Sequence, residues 1–120
     1  MGERLRVLNQ TRGTTLAAAA RVAGSWFDRF IGLMGSAALP AGEGLVLDPC
    51  ASIHMFFMRY PIDVVFASRD LRVVGVVQAI RPWRMTRFFR GARMAIELPA
   101  GAAAAAGTEL GDQLAFEKGM

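Results

Sequence analysis

The sequence predicts a mainly β fold, a single-domain antiparallel β-sandwich or small barrel with one α-helix over about 25–34 and a short helical turn over about 100–106. Three observations lead there. Apolar residues recur in about eight short stretches that either alternate with polar residues or are rich in β-branched side chains, the period of a strand. Clusters of glycine, proline, serine and aspartate separate those stretches at short intervals. Only one segment of any length has helical spacing, so the βαβ rhythm of a doubly wound sheet is missing. With 120 residues, 53% of them hydrophobic and 20% charged, the chain can build one core but not two, and disorder is excluded. Its 13 glycines have no three-residue period, which excludes a collagen helix. One domain spanning 1–120 is expected.

In chain order, Leu5 and Val7 alternate with Arg4 and Arg6 in a half-buried first strand that ends at the Thr11–Gly13 turn. Thr14 to Val22 reads as the second strand, although its alanine-rich middle also suits a helix. Ser25 offers an N-cap and Asp28 stands in the first turn. Trp26, Phe27, Phe30, Ile31 and Met34 then recur at three- and four-residue spacing up to Gly35, the pattern of an amphipathic helix. Leu39-Pro40-Ala41-Gly42-Glu43-Gly44, with one proline and two glycines, is a turn. Strands are expected at 44–47, at 52–58 with Ile53, Met55 and Phe57 opposite His54, Phe56 and Met58, and at 62–67. Ser68-Arg69-Asp70 is a tight connection, so 62–67 and 71–80 form a hairpin. An arginine-rich segment leads to a strand at 92–98. Pro99 then opens the alanine-rich helical turn that Gly107 closes, and 113–117 is the last strand.

Several strings in this middle region occur together and in order: Gly32-Leu33-Met34, Leu39-Pro40 with Glu43-Gly44-Leu45, the run from Ser52 to Phe66, Pro82-Trp83-Arg84, Glu97-Leu98-Pro99-Ala100-Gly101 and Gly111-Asp112. Taken together they resemble the family of small uncharacterised bacterial and archaeal proteins called domain of unknown function 192, over about 27–116. The resemblance implies a compact, mainly β domain and no established activity.

The single cysteine, Cys50, excludes an intramolecular disulfide framework and a cysteine-rich zinc site. The polar segment from Met1 to Arg12 lacks the apolar stretch of a secretory signal, so a cytoplasmic protein is expected. The longest apolar runs, 16–20 and 102–106, fall far short of the ~20 residues that span a bilayer, and no transmembrane segment is expected. No glycine-rich stretch joins a strand to a helix, which excludes a Rossmann or P-loop nucleotide site, and no cofactor is implied. Methionines 34, 55, 58, 85 and 94 could suggest a soft metal, but Met55 and Met58 fall on opposite faces of a strand, so core packing is expected and no metal site.

Charge is the most informative feature. The formal net charge is +4, but Arg81, Arg84, Arg87, Arg90 and Arg93 recur at every third position, and without them 9 basic residues face 10 acidic ones. The basicity therefore belongs to the loop 81–93, where it is interleaved with Trp83, Phe88 and Phe89. Guanidinium groups beside planar rings suit a polar or anionic ligand. The expected site is a small cleft lined by His54, Arg59, Asp63, Arg81, Trp83, Arg84 and Glu97. Asp63, opening an apolar strand, needs a partner, and Arg59 across the bend is the expected one. Two alternatives compete with a ligand-binding or interaction domain. One is an enzyme using Cys50, His54 and Asp63, or a Glu43 and Glu97 carboxylate pair; the bland reading of the first trio is a buried His54 and a space-filling Cys50. The other is a polyanion binder whose loop 81–93 grips nucleic acid or anionic lipid.

Overall fold

The computed structural model describes residues 4–23, 38–56 and 58–118. The helix expected at 25–34 lies outside them. Seven strands are present among the described residues: β1 (Leu5–Asn9), β2 (Thr14–Ala23), β3 (Glu43–Leu47), β4 (Ile62–Ala67), β5 (Val73–Ile80), β6 (Met94–Pro99) and β7 (Leu114–Lys118). One short helix, α1 (Ala102–Ala105), falls inside the expected helical turn.

The strands form one curled sheet in the order β5-β4-β6-β3-β2-β1-β7. Its two edges touch at one end: Arg72 bridges Gln113, the Val73 N–H donates to Asp112 O at 2.9 Å and the Leu114 N–H to Leu71 O at 2.8 Å. The mainly β expectation holds, with one correction to its antiparallel form. β2 and β3 run parallel, pairing Ala20 with Gly44 and Val22 with Val46. The reason is the long connection between them, which can carry the chain back to the same end of the sheet, as a tight hairpin cannot.

Burial on both faces explains the unbroken apolar strands. Ile62, Val64 and Phe66 of β4 enter one core with Leu45, Leu47 and Ala95, while Val65 and Ala67 enter the other with Val46, Ile96 and Leu98. Alternation at period two thus serves two cores at once. One core fills the inside of the curl beneath Ala103 and Ala106, next to α1. The other is covered by the segment 50–60 and by Ile80 and Phe89. Gly44 has no room for a side chain: a Cβ there would stand 3.1 Å from Glu97 O and 3.3 Å from the Ala17 Cβ.

Buried polar groups pin the ends of the sheet. Asn9, fully buried, donates from Nδ2 to Thr108 Oγ1 and to Asp112 Oδ2, each at 3.0 Å. Asp112 also accepts from Arg12 Nε at 3.0 Å and from the Glu109 N–H at 2.9 Å. Every donor around this carboxylate favours its charged form, and Arg12 followed by Asn9 holds it well below the usual carboxylate range.

The strand expected at 52–58 is not a ladder strand. The alternation holds from Ile53 to Phe56, with Ile53 and Met55 buried and His54 and Phe56 exposed, but Met58 enters the same core as Met55 rather than the opposite face, and only His54 makes a bridge, to Met85. Its partner segment contains Pro82, which has no N–H to give, and the Met58 N–H turns back to Met55 O. The pair is a surface ribbon laid on the sheet.

Candidate functional site

Two loops build the most distinctive surface of the molecule. Segment 50–60 crosses the outer face of the sheet, seating Ile53, Met55 and Met58 in the core. The arginine loop is bonded to it along its length. Trp83 N–H donates to Met55 O at 2.7 Å, Met55 N–H to Arg84 O at 2.7 Å, Thr86 N–H to Ile53 O at 2.8 Å and Phe89 N–H to Ala51 O at 2.9 Å. The Thr86 hydroxyl accepts from the Ile53 N–H.

Phe89 anchors the loop. Its ring stacks on Phe66 with centroids 4.3 Å apart and lies over Gly75, whose missing side chain makes the room. The Arg87 guanidinium carbon sits 4.2 Å from the centroid of the same ring. Phe88, next to it in sequence, is 70% exposed, because adjacent residues in extended chain point to opposite sides.

Above that anchor lies a ledge of rings. His54 stacks against Phe56 at 4.9 Å and Phe56 meets Trp83 at 5.9 Å with the planes 31° apart. Trp83 is 60% exposed and Met85 66% exposed. Trp83 also holds a backbone φ of 68°, a left-handed conformation that costs a bulky residue about 1–2 kcal/mol. Arg81, Arg84 and Arg90 are exposed and make no ion pair among the described residues, and the same is true of Arg59. Arg93 differs, since its Nε donates to Asp48 Oδ1 at 2.8 Å.

The seven site residues expected from sequence therefore divide. His54 and Trp83 belong to the ledge, Arg81 and Arg84 are exposed on the loop that carries Trp83, and Arg59 is exposed on the neighbouring loop. Asp63 and Glu97 belong to the scaffold below. Asp63 is fully buried and does not pair with Arg59, which corrects that expectation. Its Oδ1 accepts from the Ala79 N–H at 2.8 Å and its Oδ2 from the N–H groups of Gly101 and Ala103 at 3.0 Å each. Three backbone donors satisfy the carboxylate more cheaply than a long side chain that would have to leave water. The pairing of Asp63 with Leu98 also turns it to the inner face, away from the ledge.

Glu97 faces outward, between Leu45 and Val64 in the register, and is buried beside the core under segment 50–60. Its Oε1 has no hydrogen-bond partner among the described residues, and burial pushes the carboxyl up to about 8. Glu43, two positions before Leu45, is a diagonal neighbour on the same face but half-buried. One member of that carboxylate pair is thus sealed among apolar side chains.

The other catalytic arrangement is not assembled. The Cys50 thiol donates to Ser52 O at 3.0 Å, His54 Nδ1 accepts from the Phe56 N–H at 3.3 Å, and Asp63 is taken by backbone. His54 is exposed, correcting the expectation of a buried imidazole, because the ribbon has one face on the core and one on water. Met55 and Met58 are both core residues, as expected. Among the described residues no group of three His, Cys, Asp or Glu side chains could hold a metal ion, and no helix is long and apolar enough to cross a membrane.

Beside the ledge a groove of about 630 Å³ follows the outer edge of β5. Val74, Gly75, Val76 and Gln78 form its floor, Arg87 and Phe89 one wall, and Thr108, Glu109 and Leu110 the other. Sequence reasoning missed Phe56, Arg87 and the groove as site elements. Phe56, like His54, alternates with buried Ile53 and Met55, a readable signal, but the groove depends on how distant strands and loops meet.

These features define a class, a small curled-sheet β domain that presents aromatic and arginine side chains on a loop-built ledge. The family model for DUF192, described as an uncharacterized ACR, matches residues 7–116, and the chain belongs to this domain of unknown function 192 family. It is 35% identical over 115 residues to a UPF0127 protein of Thermococcus sibiricus, covering 92% of this chain and 74% of the relative. Identity to a UPF0127 protein of Pyrococcus furiosus is 32% over 117 residues, covering 93% and 98%. Two crystal structures share the fold at 22% identity. A protein of unknown function from Novosphingobium aromaticivorans has a TM-score of 0.79, covering 93% of this chain and 83% of that one. A Sinorhizobium meliloti protein, provisionally described as a transcription regulator, has a TM-score of 0.80, covering 97% and 94%.

Proposed function

We propose that this chain acts as one small binding domain, cytoplasmic, that takes an anionic ligand on the ledge formed by 54–56 and 81–90. One observation supports this above others: exposed, unpaired Arg81, Arg84 and Arg90 stand on the same loop as the exposed ring of Trp83. Unpaired guanidinium groups keep their five N–H donors available in a planar fork that suits carboxylate and phosphate oxygens. The groove beside β5 supports a narrower form of the reading, in which Arg87, Gln78 and Thr108 orient a small polar ligand.

Amide NMR titration with inorganic polyphosphate and with citrate tests the proposal. Shifts centred on 54–56 and 81–90 are expected, weakening as salt rises. Arg84→Glu should weaken binding at least tenfold, since it removes a positive charge and adds a negative one. Binding that ignores both salt and Arg84→Glu would contradict the proposal.

A further inference from the structure

We infer that the ligand of this ledge is a single-stranded nucleic acid, its bases stacking on the exposed rings and its phosphates meeting the flanking arginines; this rests on the anionic-ligand reading above. The rings are the first argument. His54, Phe56 and Trp83 form a graded series, 4.9 and 5.9 Å between neighbours, and Trp83 at its end is 60% exposed. A free phosphate or carboxylate needs no such planar platform, whereas every base has a flat face to place there. Trp83 is also held in a left-handed conformation that glycine or asparagine would adopt more cheaply, so the loop keeps a large ring outward against its backbone preference.

Shape is the second argument, and it separates a strand from a bilayer. Loops that enter lipid project as tips. Here the N–H groups of Trp83, Thr86 and Phe89 are bonded down to segment 51–55, so the loop lies flat on the domain and presents a surface on which a strand can rest. Arginines and exposed apolar residues also interleave, Arg81, Trp83, Arg84, Met85, Arg87, Phe88, Arg90, so the surface has no purely apolar apex. Interleaving of cation and ring is the composition with which single strands are held without reading their sequence. Arg87 continues the path, since its guanidinium lines the groove beside β5.

The test measures fluorescence anisotropy of labelled oligothymidylate and oligouridylate with the full chain, with inorganic polyphosphate as competitor and phosphatidylglycerol vesicles in a parallel sedimentation assay. Oligonucleotides are expected to bind. Trp83→Ala should weaken them about tenfold or more while changing polyphosphate binding by less than about twofold, because only the bases use the ring. Arg84→Gln should weaken both probes and lower the salt slope by about 0.7. Thermal unfolding of each variant checks that it is folded. Because Trp83 is exposed, a second variant, Trp83→Phe, should restore most of the oligonucleotide affinity. If polyphosphate and oligonucleotide bind equally and Trp83→Ala touches neither, this inference fails while the anionic-ligand reading stands. Binding to vesicles without binding to oligonucleotides would assign the surface to lipid, and binding to no probe would overturn both readings.

Discussion

Desolvation around Glu97 gives the protein a pH dependence that can be worked out in sign. A glutamate in the unfolded chain titrates near 4.5, whereas in the fold its carboxyl is held up to about 8 by burial. Between those values the folded protein binds a proton that the unfolded chain has released, so stability falls as pH rises through that window. Glu97→Gln should therefore flatten the fall and raise the Tm at pH 8.5, which thermal unfolding across pH will show. Asp63, by contrast with the unbonded Oε1 of Glu97, accepts from three backbone N–H groups. Asp63→Asn turns a donor toward one of them and should cost about 2–4 kcal/mol in denaturant unfolding, with no effect on ledge binding if folding is maintained. At Trp83 the left-handed backbone makes the reverse trade visible. Trp83→Gly removes a strained side chain, so its Tm should stay level or rise while ligand affinity drops.

The arginine loop holds its place through Phe89. A Cβ on Gly75 would come within 2.4 Å of that ring, too close for the anchor to stay. Gly75→Ala should destabilise the fold by about 1–3 kcal/mol and also weaken binding at the ledge, because it unseats the loop that carries Trp83 and Arg84. Thermal melts and the NMR titration read the two effects separately. Such dependence on one glycine is not visible in sequence, where Gly75 is an interruption in a valine-rich strand. Local patterns were more legible. The hairpin of β4 and β5 follows from Ser68-Arg69-Asp70 between two apolar runs, and the helical turn after Pro99 from its alanines and Gly107. What periodicity does not encode is the partner of a segment. The residues around Ile53 and Met55 have strand alternation yet only a bridge, and β2 has a parallel neighbour, because both outcomes depend on distant chain. The candidate site divides the same way. Exposed Arg81, Trp83 and Arg84 follow from composition, whereas the fates of Asp63 and Glu97 were set by register, which turns one inward to backbone donors and leaves the other sealed outward.

At the scale of the molecule, the two cores and the polar pins at their ends act together. Asp112 is held ionised by Arg12 and Asn9, with a folded pKa depressed below its ordinary 3.8, so its contribution is present above that value and is lost as pH falls through it. With Glu97 eroding stability on the alkaline side, the Tm should be highest in the mildly acidic range, near the ordinary 4.5 of a glutamate, and decline on both sides. Asp112→Asn should remove the acidic limb and Glu97→Gln the alkaline one. Both side chains are buried in the scaffold rather than exposed on the ledge, which separates the groups that set the pH dependence of stability from those offered to a ligand. The most direct check of that separation is an amide NMR titration of the full chain with polyphosphate at low and moderate salt. The account predicts shifts confined to 54–56, 81–90 and the neighbouring groove, fading as salt rises. Shifts centred instead on the Asp63 and α1 side of the sheet, or the absence of any salt-sensitive shift at Arg81 and Arg84, would contradict it.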